Sequence, residues 1–157
     1  MQLVDYRPKL DLRDTERAIK FTKDRFQREI SGALDLQRVS APRFLETGYG
    51  LQDDLAGTQE PVSFHVKHTN RSVEMVHSLA KWKRLSLYRY GFEAGEGLYT
   101  DMDAIRKDEK VDDIHSVYVD QWDWEKVILR TNRNAGFLKE TVQTIYKALK
   151  QTELALS

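Results

Sequence analysis

The sequence feature that most constrains the fold is the stretch His115–Glu125, which reads HSVYVDQWDWE. Its side chains alternate in character with a period of two, as expected of a β-strand with two different faces. One face carries valines with His115, Gln121, Asp123 and Glu125, and the other is rich in Tyr and Trp. We expect the aromatic face to pack under helices and the amide of Gln121 to lie beside the carboxylate of Asp123. The alternative is a solvated strand face with no binding role.

Other periodic segments complete a mixed set of elements. The spacing of apolar residues predicts helices over 14–31, 79–90 and 135–156. Alternating segments predict strands over 34–39, 62–66, 73–77 and 98–106, with a turn at 69–72. Together they predict an α+β fold, an antiparallel sheet flanked by helices.

Capping residues set the expected ends of the first two helices. Asp14 suits the start of the first helix and Gly32 its end. Ser78 suits the start of the second helix and Gly91 its end. The third helix is expected to bury one apolar face, which carries Leu138, Val142, Ile145, Leu149 and Leu156.

The composition fits a soluble globular chain with balanced charge. The 157 residues hold 25 Lys and Arg against 25 Asp and Glu, whereas nucleic-acid binders usually carry a basic excess. The length fits one domain over 1–157, and no apolar run is long enough to span a membrane. There is no cysteine, which excludes disulfides, thiolate metal sites and cysteine nucleophiles and suits a cytoplasmic protein.

Two polar loops are candidates for binding. Arg106 and Glu109 flank a charged loop between two predicted strands, and a planar guanidinium group suits a phosphate. The alternative there is an exposed, charged hairpin tip. A second loop holds Asp53 and Asp54 among glycines, and such carboxylates suit an ammonium group or Mg²⁺. An ordinary acidic surface loop is the alternative.

A basic cluster and four histidines complete the polar candidates. Lys81, Lys83 and Arg84 could neutralise a carboxylate or a phosphate, although a solvated helix face is the commoner reason for such residues. His65 and His68 would point to opposite faces of a strand, so they cannot chelate a metal together.

Four segments together resemble a known family. They are GLQDDLAG (50–57), VHSLAKWKR (76–84), AGEGLYTDMDAIRKDE (94–109) and HSVYVDQWDWE (115–125). The chain closely resembles the ammonia-dependent asparagine synthetases, the type A aspartate–ammonia ligases. The resemblance implies a fold like the catalytic core of class II aminoacyl-tRNA synthetases. Residues 34–45, ending near Pro42, resemble motif 1, the element that forms a homodimer in such enzymes.

The same resemblance implies roles for individual residues. Residues 106–109, the loop after them and the strand from His115 resemble motif 2, whose arginine, here Arg106, grips the α-phosphate of ATP. The expected adenine contacts are Glu109, His115 and Ser116. The expected aspartate pocket comprises Asp53, Ser78, Lys83, Gln121 and Asp123.

The implied reaction has two steps and uses ATP with Mg²⁺. The β-carboxylate of aspartate attacks the α-phosphorus of ATP, which gives β-aspartyl-adenylate and pyrophosphate; ammonia then gives asparagine and AMP. Arg106, Gln121 and Asp123 are the implied catalytic residues. Lys83 would hold an aspartate carboxylate, and Asp53 or Asp123 the ammonium groups. Free ammonia is the expected nitrogen donor, because a chain without cysteine cannot use the cysteine nucleophile of the glutamine-dependent enzymes.

The chain departs from the family pattern after residue 125. Class II enzymes complete the nucleotide site with motif 3, a glycine-rich strand and helix with a second arginine, and nothing of that form follows here. The last predicted helix also lacks a stop signal. We therefore expect 1–157 to be the first part of a larger catalytic domain. The alternative is an incomplete fragment or non-catalytic relative that acts as a dimerising or ligand-binding module; a tRNA binder is disfavoured by the charge balance.

Overall fold

The fold was analysed in a computed structural model, which describes residues 7–53, 55, 57 and 59–156. The helices are α1 (Leu12–Leu34), α2 (Ala80–Arg89) and α3 (Ala135–Leu154), with a short 3₁₀ turn at Arg130–Asn132. The strands are β1 (Leu36–Arg38), β2 (Phe44–Glu46), β3 (Ser63–Val66), β4 (Arg71–Met75), β5 (Gly97–Ile105) and β6 (Tyr118–Lys126). These elements form two compact units, one of residues 1–34 with 133–157 and one of residues 35–132. No helix in the described part is long and apolar enough to cross a membrane.

The larger sheet of the 35–132 unit has the strand order β1-β5-β6. Strands β5 and β6 pair antiparallel along their whole length, and β1 pairs parallel with β5. The sequence predicted both long strands, and the α+β class is confirmed.

The start of β6 was predicted three residues too early, because His115 lies in a turn. One carboxylate oxygen of Asp112 accepts hydrogen bonds from the backbone N–H groups of Ile114 and His115, at 2.9 and 2.8 Å. These N–H groups are therefore not available for hydrogen bonds to a neighbouring strand. The side chain of Asp112 stabilises a turn here in place of a strand.

The smaller sheet is antiparallel, with the order β2-β4-β3. Its β3–β4 turn occupies residues 67–70, so the predicted turn at 69–72 lies two residues too late. Asn70 adopts a positive φ of 54° there, a conformation that Asn tolerates better than most residues.

Helix α2 covers the larger sheet and closes a small core. Leu45, Val76, Leu79, Met102 and Ala104 form this core. Leu79 is the residue before the helix, and the N–H of Ala80 is 3.2 Å from Asp53 Oδ2 and 3.4 Å from Ser78 Oγ. The predicted Ser78 cap is thus shared with Asp53. Gly91 follows the helix with a φ of 72°, as predicted for its end.

Helix α1 begins earlier and ends later than its sequence signals suggested. Asp11 caps its start, because Asp11 Oδ1 accepts a hydrogen bond from the N–H of Asp14 at 2.7 Å. Gly32 lies inside the helix, which continues to Leu34. The left-handed residue after it is Asp35, with a φ of 54°, so the predicted Asp14 and Gly32 boundaries are wrong.

Helix α3 packs against α1, but the side chains that it buries are small. Asn134 caps its start by accepting a hydrogen bond from the N–H of Phe137 at 2.9 Å. Ala148 and Thr152 are its buried residues. Most of the predicted apolar face is half exposed or more, namely Leu138, Val142, Leu149 and Leu156.

Candidate active site

A buried lysine joins helix α2 to strand β6. Lys83 is only 2% exposed, and its Nζ lies 2.5 Å from Asp123 Oδ1 and 3.7 Å from Glu125 Oε2. The same nitrogen donates to the backbone carbonyl of Trp124 at 3.1 Å. The ammonium group therefore has three oxygen partners, and the desolvation of a buried cation is offset only when it is paired and hydrogen-bonded in this way.

The face of β6 that carries this pair also carries Gln121. The register with β5 is continuous, with Gln121 opposite Met102 and Asp123 opposite Thr100, so side chains two residues apart share a face. The predicted placement of Gln121 beside Asp123 follows from that register. The prediction for the aromatic face needs correction within this unit. Helix α2 lies on the Asp123 side, while Trp122 stacks on Tyr99 with ring centroids 4.8 Å apart.

The loop before β3 is tied to the segment that leads into α2. Gln52 donates to the Met75 carbonyl at 2.7 Å and accepts from the His77 N–H at 3.1 Å. Lys81 Nζ donates to the Gln52 carbonyl at 2.9 Å. These bonds fix Gln52 and its neighbour Asp53 against residues 75–81, although the two are far from that segment in sequence.

Asp53 and Ser78, both expected in the aspartate pocket, are hydrogen-bonded to each other. Ser78 Oγ donates to Asp53 Oδ2 at 2.7 Å, and the N–H of Ala80 donates to the same oxygen at 3.2 Å. A carboxylate at the start of a helix is stabilised by the free N–H groups and the helix dipole. Asp54, the other carboxylate predicted for this loop, lies outside the described residues.

Arg106 and Glu109 lie together where β5 ends. Arg106 Nη1 is 3.9 Å from Glu109 Oε2, and the two side chains are 21% and 18% exposed. The N–H of Arg106 donates to the Val117 carbonyl at 2.8 Å. Arg106 Nε is buried and has no hydrogen-bond partner among the described residues. A guanidinium group with a donor to spare is suited to an anionic ligand.

The loop after Arg106 is held by carboxylates. Asp108 accepts hydrogen bonds from Lys107 Nζ and from the N–H of Glu60, and these bonds, that of Lys107 first, hold the pKa of Asp108 below its usual range. His115 Nδ1 lies 2.8 Å from Asp112 Oδ1. The N–H of Ile114 and the His115 side chain lower the pKa of Asp112.

The structure joins six of the predicted site residues in three pairs and leaves two others apart. The pairs are Asp53 with Ser78, Lys83 with Asp123, and Arg106 with Glu109. His115 and Ser116 are exposed in the turn before β6, and in the described ranges no recorded hydrogen bond or ion pair joins either of them to the other candidates.

Sequence reasoning missed the buried histidine of this region. His77 is 1% exposed and lines a cavity of about 350 Å³ with Gln52, Asp53, Glu74 and Lys81. The predicted strand over 73–77 would place His77 on the face of Val73 and Met75, but β4 ends at Met75 and His77 lies in the segment between β4 and α2. The missed Glu125 does have a signal, since it shares the period-two face of Asp123.

Comparison with known proteins places these features in a family. A sequence model described as aspartate-ammonia ligase matches residues 13–157. An aspartate–ammonia ligase of Lactobacillus johnsonii is 56% identical over 154 residues, which are 98% of this chain and 46% of that protein. One from Clostridium perfringens is 58% identical over 150 residues, 95% of this chain and 45% of that protein. The chain thus spans about half the length of the curated relatives it matches.

A solved structure supports the fold independently of sequence. An ATP phosphoribosyltransferase regulatory subunit/histidyl-tRNA synthetase from Bacillus halodurans superposes with a TM-score of 0.68 at 11% identity, over 97% of this chain and 39% of that chain. This likeness confirms the expected fold of class II aminoacyl-tRNA synthetase type. With the family match over residues 13–157, it leads to one conclusion: the chain belongs to the aspartate–ammonia ligase family.

Proposed function

We propose that this chain carries the first part of the active site of an aspartate–ammonia ligase. The reaction makes asparagine from aspartate, ATP and ammonia and releases AMP and pyrophosphate. The observation that carries the proposal is the short segment 78–83, which positions two of the polar pairs. Ser78, just before α2, holds Asp53, and Lys83, in the second turn of α2, holds Asp123. One helix therefore links the two groups of residues assigned to aspartate.

In the first step the β-carboxylate of aspartate attacks the α-phosphorus of ATP, and pyrophosphate leaves. Arg106 lies at the end of β5 with a buried Nε free among the described residues, and we assign it to the α-phosphate. A fixed cation there stabilises charge that develops during the transfer. Glu109, His115 and Ser116 are proposed to contact the adenine, which requires the turn before β6 to lie beside the nucleotide.

In the second step the nitrogen of ammonia attacks the activated carbonyl carbon. The bond from that carbon to the AMP oxygen breaks, AMP leaves with the electron pair, and the nitrogen loses a proton to become the amide of asparagine. Residues that hold both reactants supply most of the effect by orientation. We assign Gln121, Asp123, Asp53 and Ser78 to the aspartate.

The structure changes the role proposed for Lys83. A side chain that is 2% exposed with three oxygen partners is badly placed to take a substrate carboxylate. We propose that it orients Asp123 instead, so that the exposed part of that carboxylate receives the α-ammonium group of aspartate.

The remaining expectations stay proposals that rest on the family. They are a Mg²⁺ ion that accompanies ATP, a homodimer formed through the region around Pro42, and a cytoplasmic location. Among residues 7–53, 55, 57 and 59–156 there is no group of three or more His, Asp or Glu side chains that could hold a metal ion.

Arg106→Ala should abolish adenylate formation. The measurement is aspartate-dependent exchange of pyrophosphate into ATP, together with AMP release after ammonia is added. Loss of one group that stabilises developing charge typically lowers the rate at least about 100-fold. The matched control is Arg89→Ala, an exposed arginine at the far end of α2, which should keep the exchange rate.

An unchanged exchange rate in Arg106→Ala would remove Arg106 from the phosphate site. If the unsubstituted chain neither exchanges pyrophosphate nor releases AMP, residues 1–157 do not catalyse the reaction by themselves. Calorimetry with asparagine or AMP then decides whether it is a ligand-binding module.

A further inference from the structure

The cavity beside Asp53 has room for a small ligand, and its lining carries more negative than positive charge. Its volume of about 350 Å³ is many times the roughly 30 Å³ that one water molecule occupies in the liquid. Its charged side chains are Asp53, Glu74 and Lys81, two carboxylates against one ammonium group, which leaves a formal excess of one negative charge. Such a cavity favours a small cation over an anion.

His77 supplies the second, independent observation. Its side chain is 1% exposed, and neither ring nitrogen has a hydrogen-bond partner in the described part of the chain. Its backbone N–H donates to Gln52 Oε1 at 3.1 Å, which ties this residue to the loop that forms another side of the cavity. Buried polar atoms without partners are rare in native proteins and commonly mark a missing water, ion or ligand.

The unused hydrogen-bonding capacity of the cavity consists largely of acceptors. A neutral imidazole offers one acceptor nitrogen, and both recorded hydrogen bonds to Asp53 go to Oδ2. A guest that suits these groups is small, positively charged and rich in N–H donors. Ammonium meets all three conditions.

We propose that this cavity binds free ammonium, with His77 as the acceptor of one of its hydrogen bonds and Asp53 and Glu74 as its counter-charges. The inference rests on the proposed function, in which ammonia attacks in the second step. The α-ammonium group of aspartate has the same chemistry, but aspartate would bring two further carboxylates into a cavity that already has excess negative charge. Asp53 thus forms a wall that the ammonium cavity shares with the proposed aspartate pocket.

The test follows the ring protons of the four histidines by NMR while salts are added to the full chain. A His77→Gln variant assigns the His77 signal by its loss. Ammonium chloride should shift that signal saturably, whereas potassium chloride at equal ionic strength should not, since potassium has a similar size and no proton to donate. Equal shifts with both salts, or none with either, would overturn the proposal. A shift with aspartate but none with ammonium would assign the cavity to the substrate and overturn it too.

Two further variants test whether the shift of the His77 signal comes from ammonium bound in the cavity. Glu74→Gln keeps the shape of a cavity-lining side chain and removes one charge, so the ammonium concentration for half the shift should rise several-fold. His65→Gln, on the exposed strand β3, should leave that concentration unchanged. An unaltered midpoint in Glu74→Gln would refute the role given to that carboxylate and with it the proposed site. Pyrophosphate exchange, which needs aspartate and ATP but no ammonia, reports on the proposed function separately.

Discussion

At the scale of single residues, the strongest constraint is that Lys83 carries charge where water is excluded. Breaking a buried ion pair by removing one partner costs more than the pair itself contributes, because the other charge is left without compensation. Asp123 and Glu125 are 29% and 30% exposed, so they would recover some hydration. In the proposed function the pair therefore orients Asp123 and contributes little net stability.

Lys83→Met is expected to lower the free energy of unfolding by about 3 kcal/mol, the lower end of the effect for buried pairs, because both carboxylates reach solvent. Urea unfolding followed by tryptophan fluorescence measures it, since Trp82, Trp122 and Trp124 all lie in the 35–132 unit. Arg84→Met is the control. Its side chain is 65% exposed and 3.9 Å from Glu125, so the change should stay below about 1 kcal/mol. Equal losses in both variants would contradict the special position of Lys83.

Asp112 gives a prediction for pH. The N–H of Ile114 and then the His115 side chain lower the pKa of Asp112, so its ionised form stabilises the turn. That contribution is present above the ordinary carboxyl pKa of 3.8 and is lost as the pH falls through the lower folded value. The amide signals of Ile114 and His115 should therefore move in an NMR titration with a midpoint below about 3.8. Asp112→Asn should abolish that titration, and Asp113→Asn should preserve it.

At the scale of elements, the sequence pattern predicted the presence of helices and strands better than it predicted where they begin and end. The two long strands β5 and β6 could be predicted because their patterns extend over nine residues each, and the strands pair along that whole length. The ends of elements depended on particular hydrogen bonds, such as those of Asp11 and Asp112, which no periodic pattern contains. In the candidate site, Gln121 and Asp123 could be paired from strand spacing alone. Contacts between distant segments, such as Asp53 with Ser78, followed only from the family resemblance. The predicted strand over 73–77 put His77 on the face of Val73, but strand spacing could not show that its ring would line a cavity.

Two glycines should respond to alanine in opposite directions. At Gly97 an added Cβ would lie 2.5 Å from Leu36 Cδ2 and 2.6 Å from the Glu125 carbonyl oxygen, so Gly97→Ala should destabilise the sheet by about 1–3 kcal/mol. At Gly32, inside α1, nothing lies within 4 Å of such a Cβ, so Gly32→Ala should stabilise the helix by about 0.5–1 kcal/mol. Urea unfolding followed by circular dichroism measures both. A gain at Gly97 or a loss at Gly32 would contradict these packing assignments.

At the scale of the whole molecule, the chain matches about half the length of each of these relatives. The residues assigned to aspartate and to the α-phosphate lie in segments of the 35–132 unit. The unit of α1 and α3 leaves Leu138, Val142 and Leu149 at least half exposed. Periodicity alone predicted that these leucines and valine would be buried, because a pattern indicates that a face is apolar and does not indicate what covers it.

The proposed homodimer can be tested with a charge reversal next to Pro42. Arg43 is exposed and forms an ion pair with Asp103 at 3.1 Å, a surface contact worth at most about 1 kcal/mol. If the segment 34–45 forms the interface, Arg43→Glu should weaken the dimer at least about tenfold, as like charges meet across it. Sedimentation equilibrium measures this, with Arg89→Glu as the control that should remain dimeric. A monomeric unsubstituted chain at high concentration would exclude the interface.

Strand β6 is an edge strand of the larger sheet in the described part of the chain. This position affects the tendency of the chain to aggregate. Among the described residues, no strand lies beside one row of its backbone N–H and C=O groups, and such an edge is a template on which other extended chains can add. Four of its nine residues are charged, namely Asp120, Asp123, Glu125 and Lys126. Charged side chains on an edge strand oppose edge-to-edge aggregation, so Asp123, which receives substrate in the proposed function, would also help to keep the chain from aggregating.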